Sequence, residues 1–311
     1  MKRILLSAIA LAAFMIAPAI MAQVAPPAEP IVIVLPGISP EGIEWDSANS
    51  RFLISSLTDG IIRSVDDAGS AEIFIQDGDV TTSVGIEVDE ANTRLLVAVG
   101  EASVFFDPAS SGVAALAAYD LETGERQFWV DLGALYPDGR HFANDVAVDD
   151  EGNAYVTDSF SPVLYRVDSE GNAEIFVEDE RLGSAFLGAN GIVFHPDGYL
   201  LVAVSGTNTV YKVPLDAPET MTVVESEELL SIDGMVLDND GTLYAVNNGT
   251  EQALLALTSD DEWATATLSA SVLTGGSATT VTVRDGIPFY INAYLGNQNA
   301  SQYEIVPVVL E

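Results

Sequence analysis

The sequence predicts an all-β chain, a six-bladed β-propeller whose N- and C-terminal strands close one blade. Three observations carry that prediction: a strand–turn–strand phrase that recurs six times about every 45 residues, tight-turn residues at the centre of each copy, and strand-like runs at both ends of the chain. The copies read GIEWDSANSRFLISS from Gly42, GIEVDEANTRLLVAV from Gly85, DVAVDDEGNAYVTDS from Asp145, GIVFHPDGYLLVAVS from Gly191, GMVLDNDGTLYAVNN from Gly234 and, weaker, TVTVRDGIPFYINA from Thr280.

Within each phrase the two strands are joined by residues 47–50, 90–93, 150–153, 196–198, 239–241 and 285–286, runs rich in Asp, Asn, Ser and Gly that suit hairpins. Alternating segments such as LYRVDSEGNAEIFV and VYKVPL supply a second hairpin per blade, followed by a crossing to the next phrase. The runs IVIVLP from Ile31 and YEIVPVVL from Tyr303 are expected to share one blade, which closes the ring and removes its exposed edges. Trp45, Tyr155, Phe194 and Tyr244 follow the strand alternation and are expected to pack between blades.

Three parts are expected: a secretory signal peptide over 1–22, a Pro-rich linker over 23–30 and the propeller over 31–311. Lys2 and Arg3 precede an uncharged run from Ile4 to Met21, and small residues at Ala17, Ala19 and Ala22 suit cleavage. The protein is expected to be periplasmic or secreted, free of the membrane once cleaved, and monomeric. With no cysteine it uses neither disulfides nor a lipid-bearing cysteine.

Composition limits the partners. Eleven basic residues face 47 acidic ones, for a net charge of −36, and Lys212 is the one lysine beyond the first segment. Phosphate backbones need clustered Lys and Arg, so nucleic-acid binding is excluded. The surface instead resembles the acidic, lysine-poor surfaces of proteins that work in salt. There is no G-x-S-x-G elbow, no H-E-x-x-H zinc motif, no cysteine nucleophile and no P-loop lysine.

The residues just before the six phrases are Glu41, Val84, Asn144, Asn190, Asp233 and Thr279. A propeller turns such equivalent positions into a circle around its central channel, so two carboxylates and two amides from distant parts of the chain face one point. Oxygen donors without thiolate or imidazole suit a hard divalent cation: Ca²⁺ first, then Mg²⁺ or Mn²⁺. Single Asn-Gly or Asp-Gly pairs are ordinary turn chemistry. Four oxygen donors at one repeat position are not.

The stretches SPEGIEWD around Glu41, FANDVAVDDEGNAYV around Asn144, GANGIVFHPDG around Asn190 and IDGMVLDNDGTLYAV around Asp233 resemble the senescence marker protein (regucalcin), gluconolactonase and luciferin-regenerating-enzyme-like family. The resemblance covers nearly all of the chain after the first segment. It implies a six-bladed propeller with one axial divalent cation held by Glu41, Asn144, Asn190 and Asp233, and a lactone- or ester-hydrolysing activity on a small-molecule substrate. It also implies that Asp233 is the general base or nucleophile, with His141 as a second catalytic candidate and Asp145 and Asp158 in reserve. Where gluconolactonases carry a substrate-holding Arg this chain has Phe142, with Arg140 two residues away; these two are the expected substrate contacts. The other reading is a non-catalytic propeller of NHL type, in which the cation is structural and the outer loops bind a ligand or protein.

Overall fold

In a computed structural model, which describes residues 29–275, 277–295, 297 and 299–310, the chain forms six sheets in a ring, antiparallel throughout except that Gly112–Val113 pairs parallel with the inner strand of the third. Residues 1–22, expected to be a signal peptide, and residues 23–28 of the expected linker lie outside the described residues. The innermost strands are Ile43–Asp46, Ser83–Asp89, His141–Val148, Ala189–His195, Ile232–Leu237 and Ala278–Arg284, heading blades 1 to 6 in that order. Each begins within three residues of the repeat position read from the sequence. Among the described residues the helical segments are all short 3₁₀ turns.

The hairpin turns fall where their residues indicate. In blades 1 and 2 the same device holds them: Asn49 N–H donates to Asp46 Oδ1 and Arg51 Nε to Asp46 Oδ2, while Asn92 N–H donates to Asp89 Oδ1 and Arg94 Nε to Asp89 Oδ2. Asp149 serves blade 3 in the same way, accepting from Asn153 and from the Tyr155 hydroxyl. Much of the acidic composition is therefore turn-forming as well as solvating.

A hydrophobic cluster fills every interface between neighbouring blades, six in all around the circle. Strand alternation explains this, since each blade presents one apolar face to the blade before it and one to the blade after it. Trp45 packs on Phe52 at 4.8 Å and Tyr155 on Phe176 at 4.9 Å.

The ring closes as the terminal runs suggest. Ile31–Val34 pairs antiparallel with Gln302–Pro307, in register Ile31 to Ile305 and Ile33 to Tyr303, and forms the outer strand of blade 6. Ile31, Ile33, Tyr303 and Ile305 enter the cluster shared with Ile38, Ile43 and Phe52 of blade 1. The Tyr303 hydroxyl also donates to the Ile38 carbonyl. At about 1.5–3 kcal/mol per large apolar side chain removed from water, this clasp stabilises the circle by several kcal/mol.

Candidate metal centre

Five of the six inner strands carry a register shift at the repeat position, placed between Ser83 and Ile86, Ala143 and Val146, Ala189 and Ile192, Ile232 and Met235, and Ala278 and Val281. These bulges turn the first bulged residue out of the ladder. Val84, Asn144, Asn190, Asp233 and Thr279 are those residues, and Glu41 comes just before the first strand of blade 1. The next position is glycine in four blades because the neighbouring backbone lies against it. A Cβ on Gly42 would sit 2.6 Å from the Val84 carbonyl oxygen, and one on Gly191 would overlap the Asp233 carbonyl. In blade 3 that position is Asp145.

A cavity of 110 Å³ runs along the axis, lined by Glu41, Asn144, Asn190, Asp145, Glu44 and Glu87 among others. Asp233 joins this set through Asn190, whose Nδ2 donates to Asp233 Oδ1 at 3.0 Å. The four ligands expected from the sequence therefore occupy one region, and Asp145 lies beside them.

Hydrogen bonds fix how the amides point. Asn144 Nδ2 donates to Ser159 Oγ at 2.9 Å, and that hydroxyl spends its single proton on the Ala189 carbonyl at 2.8 Å. Asn190 Nδ2 donates to Ser205 Oγ at 2.9 Å, and Ser205 donates to the Ile232 carbonyl at 2.5 Å. Each serine can only accept from its asparagine, so each amide turns its NH₂ to the serine and its Oδ1 away. Asp233 is held from both sides, with Asn190 on Oδ1 and Asn248 Nδ2 on Oδ2 at 2.8 Å. Glu41 Oε2 and Asn248 Oδ1 are buried without any hydrogen-bond partner. Orphaned acceptor oxygens of this kind are costly unless a cation meets them.

The electrostatics agree. Burial pushes Glu41 well above the usual carboxylate range, and Asp233 and Asp145 push it further. Burial raises Asp233 to about 7 against the opposing amide hydrogen bonds of Asn190 and Asn248, and raises Asp145 to about 7 although the Val146 and Ile192 amides favour its charged form. Glu44 is raised to about 8, mainly by burial, and Glu87 well above its ordinary value by burial and then by Glu44 and Asp145. Such a stack of like charges in a buried channel calls for positive charge. Two carboxylates with amide oxygens fit a hard cation that takes oxygen ligands. Among the described residues no group of three or more His, Cys, Asp or Glu side chains is gathered closely enough to hold an ion by itself.

The remaining candidates lie elsewhere. Before the bulge of blade 3, Phe142 and Asn144 share one side of the strand and His141 and Ala143 the other. His141 accordingly lines a separate groove with Trp129, Asp131 and Gly133, and its Nδ1 is 2.8 Å from Asp158 Oδ2. Asp158 is fully buried and also accepts from the Phe142 and Phe160 amides and the Tyr165 hydroxyl. The sequence reading of a proton-transfer role on the axis for His141 differs from this placement, and strand parity is the reason. Arg140 donates Nη2 to the Val104 carbonyl at 2.5 Å and Nε to the Ser110 carbonyl at 3.3 Å, which ties down the 101–113 loop. Phe142 packs with Val84 and Val104.

Sequence reasoning passed over Ser159, Ser205 and Asn248, which orient the oxygen donors. Each follows its partner by the same interval, 144 to 159, 190 to 205 and 233 to 248, and that regularity was there to be found. The 101–113 loop was also missed. Its signal is the interval from Gly85 to Asp145, longer than any other between phrases.

Solved structures show the same architecture. A gluconolactonase from Xanthomonas campestris is 16% identical with a TM-score of 0.61, covering 90% of this chain and 92% of that one. A luciferin-regenerating enzyme is 13% identical with a TM-score of 0.61, covering 91% and 97%. A virginiamycin B lyase from Staphylococcus aureus is 9% identical with a TM-score of 0.59, covering 90% and 99%. These likenesses establish a shared fold. A search of curated protein sequences finds no match. The model of the SMP-30/gluconolactonase/LRE-like region matches residues 39–275. With that match over most of its length, the chain belongs to the SMP-30/gluconolactonase/LRE-like family.

Proposed function

We infer that the protein is an exported, divalent-cation-dependent hydrolase of lactones or related esters, with its site at the axial end where the inner strands begin. The observation that carries this reading is the turned-out oxygen set: Asn144 and Asn190 directed by Ser159 and Ser205, and Glu41 Oε2 buried without a partner. Family membership supports the reaction class. Glu41, Asn144, Asn190 and Asp233 would hold the ion, Ca²⁺ first among the choices. When bound, such a cation supplies Lewis acidity toward a carbonyl oxygen.

The chain's own residues would do the rest. Asp233 accepts one amide N–H on each carboxylate oxygen, which keeps it oriented and leaves a lone pair on each oxygen for the proton of an attacking water. Asp145 bridges the Val146 and Ile192 amides and keeps a further carboxylate beside the ring. Burial of these donors strengthens the charge–dipole contacts among them.

A second reading, a non-catalytic binding propeller with a structural ion, draws on the deep burial of the donors: Glu41, Asn144 and Asn190 are each less than a tenth exposed. Hydrolysis of a panel of aldonolactones, alkyl lactones and aryl esters separates the two. The expected result is turnover that disappears on chelation and returns with one of Ca²⁺, Mg²⁺ or Mn²⁺. Tight ion binding without turnover of any substrate would favour the second reading. Export rests on the basic start and apolar run of residues 1–22, and sequencing the N-terminus of protein recovered from the periplasm or medium tests it. Among the described residues no helix is long and apolar enough to cross a membrane.

A further inference from the structure

The circle of repeat positions is not polar all round. In blade 2 it holds Val84, buried beneath Phe142 and Val104, with Leu57, Phe105 and Phe160 packed on them. The residue that corresponds to Ser159 and Ser205 is Gly100 in this blade, and a Cβ there would lie 2.7 Å from the Phe142 ring. An aromatic ring thus takes the place of the hydroxyl that orients a ligand in blades 3 and 4.

From this point a continuous aromatic run leads outward. Phe105 meets Phe142 edge-on at 4.8 Å and Phe160 at 5.2 Å; Phe106 follows 6.5 Å from Phe105 and is 86% exposed. One cationic group borders it. Arg140 commits Nε and Nη2 to backbone carbonyls and lays its guanidinium on Phe160 at 4.9 Å from the ring centre. The same loop carries Glu101, whose Oε1 accepts from Ser103. The ring faces of Phe105, Phe106 and Phe160 offer a polyhydroxylated chain no hydrogen-bond partners, whereas an apolar chain would meet continuous aromatic surface.

We propose that this blade-2 sector seats an alkyl or aryl substituent, so that the substrates are hydrophobic lactones or esters and not polyhydroxylated ones. The inference rests on the hydrolase reading and deepens it. Burial of alkyl surface along Phe106, Phe105 and Phe160 raises affinity by up to about fourfold per methylene until the run is covered.

Two measurements on the purified protein test it. With the active ion restored, kcat/KM is compared across γ-lactones with propyl to heptyl chains and glucono-δ-lactone. The expected outcome is a rise with chain length, with gluconolactone the poorest substrate. Preference for gluconolactone, or no dependence on chain length, overturns the proposal while leaving the hydrolase reading intact. The second measurement is calorimetric binding of non-hydrolysable 6-alkyl δ-valerolactams to the chelated protein. Affinity should rise with chain length, and Phe106→Ser, a change at an exposed residue that the fold tolerates, should flatten the rise. A flat wild-type series refutes the apolar seat whether or not any lactone is hydrolysed. If no lactone turns over with any ion yet the lactam series rises, the seat stands and the hydrolase reading falls.

Discussion

Ser205→Ala removes one hydroxyl that touches no ion, yet it should loosen the ion's grip. Ser205 Oγ accepts from Asn190 Nδ2 at 2.9 Å and donates to the Ile232 carbonyl at 2.5 Å, both within the protein interior. Losing two buried hydrogen bonds at roughly 1 kcal/mol each, and leaving the Ile232 carbonyl without its donor, should cost about 2–4 kcal/mol of stability. Asn190 keeps only its bond to Asp233 and is free to rotate its amide, so its Oδ1 is no longer held in place. Loss of a group that orients a ligand weakens ion binding by roughly 10–100-fold, or about 1.4–2.7 kcal/mol. The assay is calorimetric titration with Ca²⁺ at fixed pH and salt, alongside thermal melts. Ser161→Ala is the control: its hydroxyl is equally buried and donates to the Arg140 carbonyl at 2.7 Å, away from the donors. The control should lose stability and keep its affinity. If Ser205→Ala also keeps its Ca²⁺ affinity, the orientation argument is wrong.

Three other outcomes are expected. Asp233→Ala should abolish hydrolysis and leave a folded ring by circular dichroism, whereas joint loss of fold and activity would assign the ion a structural role. In the chelated protein, Glu44 has its pKa raised from 4.5 to about 8, chiefly by burial, with Asp145 and Glu87 facing it and Thr282 hydrogen-bonded to it. The folded state then holds a proton that the unfolded state has released, so this contribution to stability is full below pH 4.5 and is lost as pH rises through about 8. Melting temperature should fall across that window, and Glu44→Gln should flatten the fall; a wild-type melting temperature that climbs from pH 5 to 8 would contradict it. Deleting residues 301–311 strips the strand that pairs with both Ile31–Val34 and Ile287–Asn292 and should unfold the whole protein, and an unchanged melting curve in the truncated form would refute the clasp.

The circle of Glu41, Asn144, Asn190 and Asp233 was legible in the sequence because repetition fixes the Cα register of one blade against the next. The turns were legible because Asp, Asn and Gly reveal them locally, and the clasp because both terminal runs read as strands. Side-chain direction was harder. His141 stands three residues before Asn144 and looks close to the axis in one dimension, but the bulge and the strand parity turn it toward Asp158. Arg140 looked like a substrate contact, and only the long connection after Gly100 shows that its donors are engaged by Val104 and Ser110. Ser159 and Ser205 escaped notice because serine at a strand end has no distinctive pattern. Their role follows from partners in the preceding and the following strand together, which become neighbours only once the sheet is assembled.

Ser159 reaches forward to a carbonyl of blade 4, and Ser205 to one of blade 5. Gly42 yields space to blade 2, Gly191 to blade 5, and Thr279 donates from blade 6 to the carbonyl of Glu41. Every sector thus borrows part of its geometry from its successor, and the last borrows from the first. A blade could not be transplanted into another propeller with its share of the centre intact, nor could one drift in sequence without its neighbour being tested too. Inheritance acts on the whole wheel, and an ion at its hub would register damage to any spoke.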